Sequence, residues 1–293
     1  MLHVSIGALI SLAVILLICF VLPFFLFYFL YRIADCKFKT LLIGALGYLV
    51  CGIVVDTTIV ALFELIGGIN NNALLYLLHA IVLSPACFIL VNYLIIKKIG
   101  ADNIKTTGDS MMYSLGYSSA FNILSTGIIA FMYFLTMLDI RNRGGSYIVV
   151  SDADYVSVSD TVSGSNLLSE TIYGEMMKLC SQPVSYYMTF VFNCLWVFAV
   201  FAAVMPVIWL AATKENKPLI LAFTFIIRLF ITLPDILDHF KVIGNVWVSH
   251  LISVAVLVII WIAAMYCRKL FIDTDDAVSE NDMKKKSSIQ SVQ

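Results

Sequence analysis

Apolar residues in this chain neither alternate nor keep to one helical stripe; they run on in seven blocks, at about 4–31, 40–67, 73–96, 111–138, 184–213, 218–238 and 243–267. A chain in lipid must satisfy its own backbone hydrogen bonds, and about 20 apolar helical residues cross the roughly 30 Å hydrocarbon core. Every block is long enough, and the longer ones predict tilted or projecting helices. The pattern therefore predicts an all-α transmembrane bundle of seven spans over residues 1–270, followed by a polar tail at 271–293. The first block exceeds the apolar core of a signal peptide and has no basic leader, so it reads as a retained span.

One long connection, residues 139–183, separates the fourth and fifth spans. Within it, Tyr147–Val150 and Tyr155–Val158 flank Ser-Asp-Ala-Asp and read as two short strands about a turn. Leu168, Ile172, Met176 and Leu179 recur at helical spacing, which predicts a short amphipathic helix lying on the membrane or capping the bundle. The plain reading of this loop is an ordered connector; a sensory role is the alternative.

Composition agrees with the pattern and narrows the function. Apolar residues make up 61% and charged residues 13% of 293, far from the balance of a soluble domain. That excludes a soluble enzyme, a disordered linker and a secreted disulfide scaffold. Lys and Arg number 18 against 19 Asp and Glu, so nucleic acid is not an expected partner. The lipid bilayer is. Basic residues fix the expected orientation: thirteen of them, including Arg32, Lys97, Lys98, Lys214 and the tail lysines 284–286, flank alternate ends of the spans, against four (Arg141, Arg143, Lys178, Lys241) at the opposite ends. The N-terminus is then outside, the C-terminus cytosolic and the long loop extracytoplasmic. The run Lys284–Lys286 suits topology or anionic lipid. Of seven cysteines, five fall in spans and only Cys180 in an outer segment. No C-x-x-C or Cys/His spacing is present, so neither cofactor nor metal is expected.

Charges inside spans cost about 2.5–3.5 kcal/mol each near the bilayer centre and require a reason. They are Asp56 and Glu64 in the second span and Arg228, Asp235 and Asp238 in the sixth; His79 lies in the third and His239 just beyond the sixth. Asp56 and Glu64 fall about 80° apart around a helix and suit one seam. Arg228, Asp235 and His239 share a face if Pro234 bends the helix little. The candidate cluster Asp56, Glu64, His79, Arg228, Asp235 and His239 has three readings: mutual pairs holding the bundle together, groups near outer water, or a polar cavity between spans two, three and six. Catalytic strings are missing. There is no H-E-x-x-H; Gly116-Tyr117-Ser118-Ser119 matches G-x-S-x only loosely and reads as small-residue packing; and the seventh span has no Lys for a retinal Schiff base.

Several features fall together in order: Pro23 in the first span, a basic turn, Leu41-Leu-Ile-Gly-Ala-Leu opening the second, Lys97-Lys98-Ile-Gly-Ala-Asp after the third, a span beginning near Asp109, Gln182-Pro183 before the fifth and Leu233-Pro234 in the sixth. In this layout, over roughly residues 20–270, the chain resembles the YhfC family of intramembrane proteases, relatives of the CAAX-type prenyl-protein proteases. The resemblance implies a bacterial plasma-membrane protein, with catalytic residues at set positions. This chain departs from them. Where the family carries E-E-x-x-R, the register falls on Ser84-Pro85-Ala86-Cys87-Phe88. Where it carries F-G-x-G-H-G-x-x-E, the run Tyr113–Phe121 keeps Gly116 but has Tyr117 for His and Phe121 for Glu. The fifth span has no charge or histidine, and the sixth has Arg228 and Thr232 where His and Asp are usual.

Tyr117 and Phe121 cannot bind metal or relay protons as His and Glu do, so no catalytic residue carries over. The expectation is a catalytically silent member that holds a membrane segment, peptide or lipid among its helices. A solute or ion transporter using Asp56, Glu64, Arg228 and Asp235 stays open, as does a diverged active protease.

Overall fold

The computed structural model of the chain describes residues 4–34, 36–68, 72–142, 148–150, 167–213, 217–242, 245, 247–267 and 269. Seven helices are long and apolar enough to cross a membrane: α1 (Ile6–Ala34), α2 (Phe38–Ile66), α3 (Ala73–Lys98), α4 (Thr107–Asn142), α6 (Val184–Thr213), α7 (Lys217–His239) and α8 (Trp247–Cys267). Between α4 and α6 come β1 (Ile148–Val150), β2 (Leu167–Ser169) and the short helix α5 (Glu170–Ser181). The seven expected spans are thus seven helices. α4 runs on to Asn142 because Ile140 is still buried past the end of the apolar block. β1 pairs in parallel with β2; the other half of the expected hairpin, Tyr155–Val158, lies outside the described residues. The amphipathic helix expected from Leu168 begins two residues later, at Glu170.

Local chemistry sets the helix starts. Asn72 Oδ1 accepts the amides of Leu74 and Leu75 at the head of α3, answering donors that have no partner within the helix. At the head of α4, Thr106 Oγ1 accepts the Asp109 amide while Asp109 Oδ2 accepts the Thr106 amide, a reciprocal cap. Each of the first four spans widens into a π-helical stretch: Leu17–Val21, Leu49–Asp56, Leu78–Leu83 and Asn122–Gly127. Two of these end two residues before a proline, Pro23 and Pro85. Proline has no N–H and its ring crowds the carbonyl four residues back, so a wider turn relieves it. In the other two, hydroxyls take up helix carbonyls: Thr57 that of Gly52, Thr58 that of Val54, Ser125 that of Phe121.

The helices belong to two compact units. The first holds residues 1–26 and 121–197. Its core is Leu12, Ile15, Cys19, Met137, Ile140, Met176, Tyr187 and Cys194, with Tyr187 OH donating to the Leu179 carbonyl at 2.7 Å and so tying α5 to α6. The second holds residues 27–120 and 198–293. Here α2 and α4 cross so closely that a Cβ on Gly44 would overlap the Tyr113 carbonyl and one on Gly116 the Leu41 carbonyl. Helices in lipid gain little from apolar transfer and associate through such close packing and polar contacts. Trp209 of α6 donates its indole N–H to the Ile104 carbonyl at 3.0 Å, fastening the turn before α4.

Candidate functional site

The second unit gathers most of the chemistry-bearing side chains. On α2, Asp56 closes the π-helical stretch and points to α3, where His79 Nε2 meets Asp56 Oδ1 at 3.0 Å. The imidazole is 15% exposed and the carboxylate 40%, so the pair has one open side. Phe63 of α2 packs its ring edge against His79. Glu64, two turns further along α2, is exposed.

α7 presents one face to α3 and stays helical through Pro234. Arg228, at the midpoint of its apolar stretch, lies over the Phe88 ring with Cζ 4.9 Å from the centroid. Its Nε is buried and has no hydrogen-bond partner among the described residues. The guanidinium is in electrostatic contact with Tyr117, Cys51, Asp235 and Asp56. Two turns further on, the Asp235 carbonyl accepts from Tyr76 OH at 3.4 Å, and His239 stacks on the Tyr76 ring at 3.6 Å. Arg228 and His239 thus both meet α3 through their side chains, whereas Asp235 meets it through its backbone carbonyl and is itself exposed. The Asp238 side chain lies outside the described residues.

The positions singled out by the protease resemblance also have defined places. Phe88 and Tyr117 are buried and meet edge to face at 5.6 Å. Phe201 of α6 packs against both, at 5.6 and 4.6 Å, and Tyr48 of α2 packs against Tyr117 at 5.6 Å. Pro85 is buried and Ser84 half-buried beside it. Phe121, half-buried, belongs to the first unit. One helical turn from Phe88, Asn92 takes a 2.6 Å hydrogen bond from Tyr113 OH and donates to the Phe88 carbonyl at 2.8 Å.

Sequence reading missed Tyr76, Asn92, Tyr113 and Phe201. Asn92 carried a usable signal, being a lone amide in an apolar span; the three aromatics looked like any others. Among the described residues no three His, Cys, Asp or Glu side chains converge as a metal would need. The first unit has its own open groove of about 760 Å³ between α5 and the ends of α4 and α6, lined by Tyr133, Asp139, Glu175, Lys178 and Tyr186 among others. Compared with models of known families, with curated proteins and with solved structures, the chain matches none.

Chemically, the second unit offers a carboxylate–imidazole pair, a guanidinium with an unanswered donor and a wall of packed rings. That set can bind charge and exchange protons. At Phe88 and Tyr117 it offers no general base.

Proposed function

We propose that this integral membrane protein is built on an intramembrane-protease-like bundle and binds rather than cuts, holding a membrane segment, peptide or lipid among its helices. One observation carries the reading. Phe88, Tyr117 and Arg228, three positions at which the resemblance calls for catalytic side chains on three different helices, touch in a chain, ring to ring and ring to guanidinium. Contact among positions that the motif register picks out supports a protease-like bundle, and the groups standing there are aromatic or permanently charged. Packed rings also avoid the cost of unpaired polar groups in a bundle interior. The test is purified protein assayed for bound zinc, for cleavage of transmembrane peptides and for capture of photoreactive lipid or peptide. Capture without zinc or cleavage supports the reading; stoichiometric metal coupled to turnover overturns it.

A second reading, a transporter, is favoured by the Asp56–His79 contact, because ionisable pairs inside spans often mark ion or proton paths. Flux in liposomes, lost in Asp56→Asn, would select it.

A further inference from the structure

We propose that Arg228, Asp56 and His79 bind a monocarboxylate together with one proton, the guanidinium taking the carboxylate and the imidazole the proton. This rests on the binding reading above and names the chemistry of what is bound.

The first support is the state of Arg228. A guanidinium inside a span is costly and normally has its donors answered. Here Nε is buried with no partner among the described residues. Phe88 covers one face of the guanidinium, which leaves the planar edge, where the N–H donors project. A flat, two-oxygen acceptor fits that edge with paired hydrogen bonds. A carboxylate is the simplest such group.

The second support is charge. With a neutral imidazole, Arg228, Asp56 and His79 sum to zero. Adding a carboxylate leaves one uncompensated negative charge, which a low-dielectric interior opposes strongly. One proton arriving with the anion restores neutrality. His79 Nε2 already faces Asp56 Oδ1, so the proton goes to Nδ1, giving an imidazolium held by Asp56. No bond other than that N–H is made. Around His79 stand the Asp56 carboxylate and the Phe63 ring of α2, and the groups in electrostatic contact with Arg228 are Tyr117, Cys51, Asp235 and Asp56. Asp235, also in electrostatic contact with Arg228, is exposed and stands outside this count.

A carboxylate could reach this position from the bilayer, as a fatty acid, or from water, as a small solute. Octanoate and acetate represent the two. The experiment is calorimetric titration of the full chain in lipid nanodiscs, in two buffers of different ionisation heat, across neutral and mildly alkaline pH. The expected result is uptake of about one proton per carboxylate and a Kd that weakens about tenfold per pH unit on the alkaline side, as linkage requires. Octanoate binding alone identifies the lipid source, and comparable acetate binding the soluble one; either supports the proposal. Arg228→Gln should weaken binding at least a hundredfold, Arg228→Lys at least tenfold, and His79→Asn should abolish both the proton uptake and the pH slope. Absence of binding by both probes at millimolar concentration, binding without proton uptake, or unimpaired binding in Arg228→Gln would each overturn it. If Arg228→Gln does not fold, the proton count and pH slope of the unmodified protein decide. Peptide cleavage would sink the broader binding reading without touching this measurement.

Discussion

Phe88 is the side chain through which the aromatic wall and the buried arginine meet, so its removal has a cost that can be worked out. It packs on Tyr117 and Phe201, each at 5.6 Å between ring centroids, and lies under the Arg228 guanidinium at 4.9 Å. In water, Phe→Ala costs about 3–5 kcal/mol, part of it transfer of the ring out of solvent. In a bilayer that part is small, because lipid tails are as apolar as the ring. What is left is the cavity: at roughly 24 cal/mol per Å³ and on the order of 100 Å³ of lost side chain, about 2.4 kcal/mol. The cation–π contact adds about 0.5–2 kcal/mol. Phe88→Ala should therefore destabilise by about 3–4 kcal/mol. Phe88→Leu, which refills most of the space but has no quadrupole, should cost about 1–2 kcal/mol, from the cation–π contact and ring pairs together. Reversible unfolding in mixed micelles, followed by tryptophan fluorescence, reads both numbers. A Phe88→Ala loss below about 0.5 kcal/mol, or equal losses for Ala and Leu, would mean that the rings do not fill the bundle as described.

Further outcomes follow from single contacts. Tyr113→Phe leaves the buried Asn92 Oδ1 without its donor and should cost about 0.6–1.7 kcal/mol, the range for interhelical hydrogen bonds in membranes; a double-mutant cycle with Asn92→Leu should return a coupling of that size, and a coupling near zero would refute the bond. Gly116→Leu places a side chain where the Leu41 carbonyl lies and should cost at least the 1–3 kcal/mol of overpacking, seen as loss of folded protein on detergent gel filtration. Partial burial raises the pKa of the Cys180 thiol at the end of α5 above its ordinary value. A raised value means less thiolate at neutral pH, so maleimide labelling of Cys180 should be slower than for a free thiol there and should keep accelerating above the pH where a free thiol levels off. Labelling of whole cells by a membrane-impermeant maleimide would at the same time test the expected outward orientation of this loop.

The seven spans were legible because a helix in lipid leaves a long unbroken apolar record, and each of the seven blocks is one helix. The placement of Arg228 and His239 on one face of α7 was legible too, since helical spacing survives Pro234. Interhelical partners were not. Asp56 and Glu64 looked equivalent by angle; that Asp56 stands opposite His79 was not legible, because the depth of α3 beside α2 is set by tertiary packing. The aromatic cluster was hidden for a related reason: one more Phe or Tyr in a membrane span carries no local signal, and only contact between helices makes Phe88, Tyr117 and Phe201 a group. The two proline-linked π-helical stretches could have been read from Pro23 and Pro85. Those at Asp56 and Gly127 depend on hydroxyl contacts that no spacing rule announces.

The glycine crossing of α2 and α4 has a mechanical consequence. Where backbone carbonyls face the Cα atoms of Gly44 and Gly116, no side chain lies between the helices to rotate and let them slide. α2 and α4 are then locked against each other at this crossing, where Leu41 and Gly44 meet Tyr113, Gly116 and Tyr117. Arg228 stands on α7, outside this crossing. That helix is also the softer one, because Pro234 deprives the Phe230 carbonyl of its usual donor four residues on. The crossing secures the helix that carries the acid, and the proline-weakened helix carries the cation.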